Sequence, residues 1–278
     1  MKKGTKTKKK SANKKYDFPI TSKSNWIFAI SILFSIFIFY KLFDLRINLA
    51  GDDANYIMSG YKFLKEGEYP DWHSPLNSIF LSVPIFFAGI SLPWLKITSA
   101  IFLLLSFFLF FKSYNKKIDP FLLFLTIFIV GINSYIAYYS SFTFSEAFFM
   151  FFQALFIFFI FRFIGQQDNK LIQYIYLGLL SIALYMAKTV GLAGITALLL
   201  FLGLEKQWKK MLFSLSSFTA FYLLVHISKK IIWGVRNNQF SSQLESLMQK
   251  DPYKSALGNE DPAGFINRFI DNSNLYIS

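Results

Sequence analysis

The apolar positions of this chain run in unbroken blocks and lack the one-sided alternation of a soluble amphipathic element. Eight blocks are readable: Trp26–Phe43, Leu76–Ile90, Pro93–Phe111, Pro120–Tyr139, Ser145–Ile164, Leu171–Ala187, Val190–Leu204 and Met211–Ser228. Most approach, as helices rising 1.5 Å per residue, the ~30 Å hydrocarbon core of a bilayer. Leu76–Ile90 has 15 residues, only about 22 Å of helix, and carries further marks against crossing. Pro84 interrupts it, and Ser74, Ser78 and Ser82 recur at every fourth position as a polar stripe. That pattern suits a helix lying in the membrane interface better than one crossing. The other seven blocks predict seven spans.

Between the first and second blocks the pattern changes to an amphipathic one. Gly51-Asp52-Asp53-Ala54-Asn55-Tyr56 opens a helical periodicity ending near Gly67, with Ala54, Ile57, Met58, Tyr61 and Leu64 on one face. The expected architecture is therefore all-α and polytopic, with about seven transmembrane helices and two extracytoplasmic interfacial helices. Residues 1–25 form a cytoplasmic tail and residues 26–228 the transmembrane module, with a first outside loop at 44–75 and an interfacial helix at 76–90. Residues 229–278 form a polar extracytoplasmic segment, expected to continue in a longer protein.

Composition supports the membrane reading. Hydrophobic residues make up 54% of the chain and charged ones 16%, against about a quarter charged in soluble domains. The net charge of +13 is concentrated at the start, where nine of the 29 basic residues fall in the first 25 positions. Such a run can mark nucleic-acid binding, but this one leads directly into a hydrophobic block. It reads as a cytoplasmic tail beside anionic lipid, with no nucleic-acid partner. Trp26–Phe43 is too long for a signal-peptide core and lacks a following small-x-small site, so it stays as an uncleaved span. With no cysteine, disulfides and thiolate metal sites are excluded.

Loop charge gives a partial check on the seven-span count. With seven crossings, Lys112, Lys116, Lys117, Arg162, Lys170, Lys206, Lys209 and Lys210 lie inside, against Lys96, Lys188, Lys229, Lys230 and Arg236 outside. The positive-inside rule then puts the N-terminus in the cytoplasm. The membrane expected is the bacterial plasma (inner) membrane.

Candidate chemistry gathers on the outside face of this topology. Asp52 or Asp53 could simply cap the helix that follows. A cap needs one carboxylate, however, and two adjacent ones also suit a general base or a cation site. His73 stands in Trp72-His73-Ser74-Pro75, and no zinc-binding spacing surrounds it. Glu146 opens a span at Thr143-Phe144-Ser145-Glu146, where Thr143 and Glu146 also have the spacing of a capping box. Lys188 lies at the turn between two apolar runs, where it could equally snorkel to the interface. A divalent cation held by Asp52, Asp53, His73 or Glu146 is compatible with this set and not required by it.

The order of these features resembles the GT-C membrane glycosyltransferases, relatives of protein O-mannosyltransferases and of the lipid A aminoarabinose transferase. The resemblance covers most of the chain from about Trp26. It consists of a first span, an outside acidic pair opening a helix (Asp52-Asp53-x-x-Tyr56), a proline-marked second helix (His73-Ser74-Pro75-Leu76), an acidic residue opening a later span (Glu146), and a basic residue before glycine (Lys188 to Gly191). Family members often have Asp-Glu at the acidic pair, and some have a lysine where Ser74 stands. The resemblance implies a sugar donor linked to polyprenyl phosphate within the bilayer and a glycan, lipid or protein acceptor outside. Asp52 would be the catalytic base and Lys188 the donor-phosphate contact. Asp53, His73 and Glu146 would support the base or bind the acceptor. Such enzymes usually carry further spans beyond the number seen here, so the chain reads as an N-terminal portion. Two other classes fit the composition: a transporter or flippase, which would place charges mid-membrane and show a repeat or broken helices, and a non-catalytic or truncated scaffold.

Overall fold

A computed structural model of the protein describes residues 22–46, 52–70, 75–166, 168–234, 248–251 and 254–277. The fold is all-α: α1 (Ser22–Lys41), α2 (Asp52–Glu66), α3 (Pro75–Ala88), α4 (Leu92–Tyr114), α5 (Pro120–Ile132), α6 (Ser134–Ser140), α7 (Ser145–Ile164), α8 (Leu171–Ala187), α9 (Leu192–Leu204), α10 (Trp208–Trp233) and α11 (Pro262–Ile277). Among the described residues the only strand-like pairing is an isolated antiparallel bridge between Gln249 and Asn259.

Helices α4, α7 and α10 are each long and apolar enough to cross a membrane, and the bent pair α5–α6 makes a fourth such unit. The bend is 63° and falls inside the block that the apolar pattern reads as one continuous span. Its cause is Asn133, whose backbone is extended and whose side chain accepts from the backbone N–H groups of Tyr135 and Ile136. An asparagine that caps a new helix interrupts the preceding one. Proline sets the other starts: Pro93 lies in the first turn of α4, and Pro120 opens α5 under the Asp119 carboxylate, which accepts from Phe121 and Leu122. Helix α3 is short, contains Pro84 and packs on α2.

Three apolar clusters hold the bundle together. One joins α1, α4 and α5 around Phe39, Leu103, Phe107 and Ile127. A second joins α7, α8 and α9 around Phe156, Leu177, Leu184 and Leu198. A third packs Tyr56 and Ile57 of α2 with Leu81 and Ile85 of α3 and Leu95 of α4. Many large apolar side chains point outward instead, among them Phe34, Phe37, Phe87, Leu200, Leu212 and Leu224. In water such a surface would aggregate; in hydrocarbon it is the solvated face. Lipid supplies little hydrophobic drive between helices, so close backbone approach matters more. Two glycines show it. A Cβ on Gly131 of α5 would collide with the Ser35 side chain of α1, and one on Gly178 of α8 with the Ser217 side chain of α10.

The helices alternate in direction, which sorts their ends. Phe28 near the start of α1 stacks on Phe111 near the end of α4, and Tyr114 meets Phe161 of α7 edge-on. The end of α1, the start of α4, α2, the start of α7 and the end of α8 meet at the opposite end of the bundle.

Candidate functional site

At that second end the chain assembles a polar cluster around the Ser141–Glu146 connection. Asp53, in the first turn of α2, is fully buried. Its Oδ1 accepts from the Thr143 backbone N–H at 2.7 Å and from the Thr143 hydroxyl. One turn later, Tyr56 donates its hydroxyl to Ser145 Oγ at 3.3 Å. From α3, the Asn77 amide donates to the Thr143 carbonyl at 3.1 Å. Two helices outside the spanning set thus grip one short loop that feeds α7.

The buried Asp53 carboxylate faces a buried cation. Lys96, on the first turn and a half of α4, has no exposed side-chain surface, and its Nζ lies 3.9 Å from Asp53 Oδ2. The ammonium donates to the backbone carbonyls of Asp44 at 2.7 Å and Arg46 at 2.5 Å, and sits 4.6 Å from the centre of the Phe142 ring. The loop presenting those carbonyls is itself tied: Arg46 hydrogen-bonds both carboxylate oxygens of Asp44 and holds that carboxyl down at about 2. A lone buried ammonium or carboxylate would be prohibitively costly, whereas paired and hydrogen-bonded ones persist.

The second polar pair is more open. Lys188 Nζ donates to Glu146 Oε1 at 2.7 Å, with side-chain exposures of 36% and 31%. The geometry that aims Lys188 is local. Helix α8 ends at Ala187, Lys188 is extended, and a 3-10 turn at Thr189–Gly191 leads into α9. Gly191 is required there because a Cβ would sit 2.6 Å from the Leu184 carbonyl oxygen.

The sequence-predicted residues divide accordingly. Asp52, Asp53, Glu146 and Lys188 lie at one end of the bundle, with Asp53 buried and Asp52 exposed. His73 lies outside the described residues. The buried stripe of α2 is Asp53, Tyr56, Ile57 and Gly60, shifted from the expected face that included Ala54 and Met58, because a carboxylate and a phenol are what reach the 143–145 loop. The capping-box reading of Thr143 and Glu146 gives way too. Phe144 occupies the N-cap position without a side-chain bond, Thr143 serves Asp53, and Glu146 serves Lys188. Among the described residues, no three of His, Asp and Glu approach closely enough to hold a metal ion.

Sequence reasoning gave no site role to Lys96, Thr143 or Asn77, and named Tyr56 only within the acidic-pair motif. Lys96 carried a usable signal, a lone charge four residues inside an apolar block, where intramembrane ionisable residues mark structure or function. A small neighbouring cleft adds Tyr69, Tyr185, Tyr222, His226 and Lys229 at the same end, with Lys229 5.0 Å from the Tyr69 ring centre.

Among the described residues three helices, or four units with the bent pair, are long and apolar enough to cross a membrane, and large apolar side chains face outward, a combination compatible with an α-helical integral membrane protein. No family model matches the chain, and neither curated proteins nor solved structures include a significant match.

Proposed function

We propose that the chain is a membrane glycosyltransferase moving a sugar from a polyprenyl-phosphate donor to an extracytoplasmic acceptor, with the resemblance to GT-C enzymes and seven crossings as its frame. The observation that carries the reading is the half-open Lys188–Glu146 pair beside an α2 whose first residue, Asp52, is exposed while its second, Asp53, anchors the loop that leads into Glu146. The roles follow from those environments. Asp52 can take a proton from the acceptor hydroxyl as its oxygen attacks the sugar's anomeric carbon. The bond from that carbon to the donor phosphate oxygen breaks, and the lipid phosphate departs with the electron pair. Its growing negative charge needs a cation, and the partly exposed Lys188, paired with Glu146 in the free protein, would supply it. Asp53 is a positioning residue, since its oxygens are engaged by Thr143 and face Lys96.

The test is transfer from a lipid-linked sugar in membranes carrying the full-length protein, normalised to protein amount. Asp52→Asn keeps the side-chain shape and should lower the rate by roughly 10²–10⁴-fold, whereas Glu66→Gln at the exposed far end of α2 should not. Lys188→Gln should weaken donor binding at normal protein levels. A parent protein without transfer that moves the lipid-linked sugar across vesicles would instead support the flippase alternative.

A further inference from the structure

At the opposite end of the bundle, remote from the site above, four basic side chains line one cleft. Lys112 lies in the last turn of α4, Lys116 and Lys117 occupy the loop before α5, and Arg162 lies in the last turn of α7; with Ser113 and Asn115 they line an open cleft of about 330 Å³. The separation from the other polar cluster follows from the helices. Lys96 to Lys112 and Glu146 to Arg162 each span 16 residues, about 24 Å at the helical rise. The cleft therefore lies at the other membrane interface. Helix C-termini alone account for a cation at Lys112 and at Arg162, but not for the two loop lysines.

The cleft is charged without compensation. Among the described residues none of the four basic groups makes an ion pair, and the nearest carboxylate in sequence, Asp119, is engaged by the backbone N–H groups of Phe121 and Leu122. Three of the cations are held against rings: Lys117 Nζ lies 3.0 Å from the centre of Phe161, Arg162 4.1 Å from Phe158 and Lys112 5.4 Å from Phe108. Burial against the protein lowers the Lys117 pKa from the ordinary lysine value, a strain that a neighbouring anion would relieve. All four basic side chains are exposed at the cleft, so an anion can reach them while the rings brace three of them.

We propose that this cleft binds a phosphate-bearing anion, with Arg162 as the bidentate contact and Lys112, Lys116 and Lys117 closing around it. The chemistry is shared by the headgroup of an anionic phospholipid and by a soluble phosphate ester. The site is independent of the transferase reading, and its test does not involve sugar transfer.

The purified full chain is placed in nanodiscs of phosphatidylcholine containing phosphatidylglycerol, and lipid that survives detergent extraction is identified by native mass spectrometry. Phosphatidylglycerol should be retained over phosphatidylcholine. The double variant Lys117→Gln/Arg162→Gln should weaken retention by about thirtyfold, from about fivefold per basic group at a membrane surface. Arg162→Lys should retain part of the binding. The variant Lys8→Gln/Lys9→Gln/Lys10→Gln in the basic tail should bind like the parent, separating the cleft from general attraction. Gel filtration and circular dichroism identify any misfolded variant. In a second arm, glycerol 3-phosphate is titrated against thermal unfolding of the delipidated chain. Stabilisation that the double variant loses, without phosphatidylglycerol retention, would assign the same phosphate site to a soluble ester. Equal phosphatidylglycerol retention by the parent and a folded double variant would overturn the proposal. So would indifference of the parent to both phosphatidylglycerol and glycerol 3-phosphate.

Discussion

Lys96 and Asp53 are the residues on which the polar cluster around Thr143 depends, and neither can be changed alone without consequence. The ammonium satisfies two loop carbonyls and lies 3.9 Å from a carboxylate oxygen that, among the described residues, has no hydrogen-bond partner. Lys96→Met should therefore destabilise the fold by about 3–5 kcal/mol, the usual penalty for leaving a buried charge unpaired. Adding Asp53→Asn should recover part of that loss, because the stranded charge is removed while the oxygen facing Thr143 can remain. Thermal unfolding of the two variants in detergent reads the difference. Equal instability of the single and double variants would mean that the carbonyl contacts, and not the carboxylate, dominate.

The Lys188–Glu146 pair is different in kind. At about one-third exposure its stabilising contribution is discounted by solvent screening, so neutralising Lys188 should leave folding nearly unchanged. That is what makes Lys188→Gln a usable probe of donor binding.

At the scale of elements, the contacts that distinguish this bundle are close approaches at small residues. Helix α8 meets α10 at Gly178, where the Ser217 hydroxyl donates to the Tyr174 carbonyl at 2.6 Å. Gly178→Val should separate these helices and lower the yield of monodisperse protein in gel filtration. Gly203→Ala, where the new Cβ would meet only Met211 and Trp208 side chains at 3.5 Å and 3.8 Å, should be tolerated or slightly stabilising. Wild-type behaviour of Gly178→Val would show that α10 is held to α8 by its other contacts. The amphipathic pattern also located α2, the short proline-bearing α3 and the turn at Lys188 correctly along the chain. It missed the bend at Asn133, because an asparagine inside an apolar run looks the same whether its side chain faces a neighbour or caps a new helix.

For the whole molecule, the alternating helix directions put the Lys117 loop and the Ser141 connection at opposite ends. A reporter fused after Lys116 should be cytoplasmic and one fused after Ser141 extracytoplasmic. The charge tally sets that sense, and the geometry demands that the two differ. The inverted pattern would turn the proposed transfer site to the cytoplasm, and matching locations would mean that α5–α6 re-enters without crossing.

The apolar blocks by themselves determined that the chain is helical, with helices apolar enough to cross a membrane, and that acidic and basic residues mark their junctions. Those properties are local, set by transfer free energy per residue and by backbone hydrogen bonds that lipid cannot satisfy. Only tertiary structure decided between Asp52 and Asp53, drew Lys96 into the interior and reassigned Thr143 from Glu146 to Asp53. Adjacent residues on a helix point about 100° apart, so two equivalent aspartates become one buried and one exposed only when a neighbouring loop supplies the hydrogen-bond donors. That loop lies 90 residues away in the chain, beyond the reach of any local pattern.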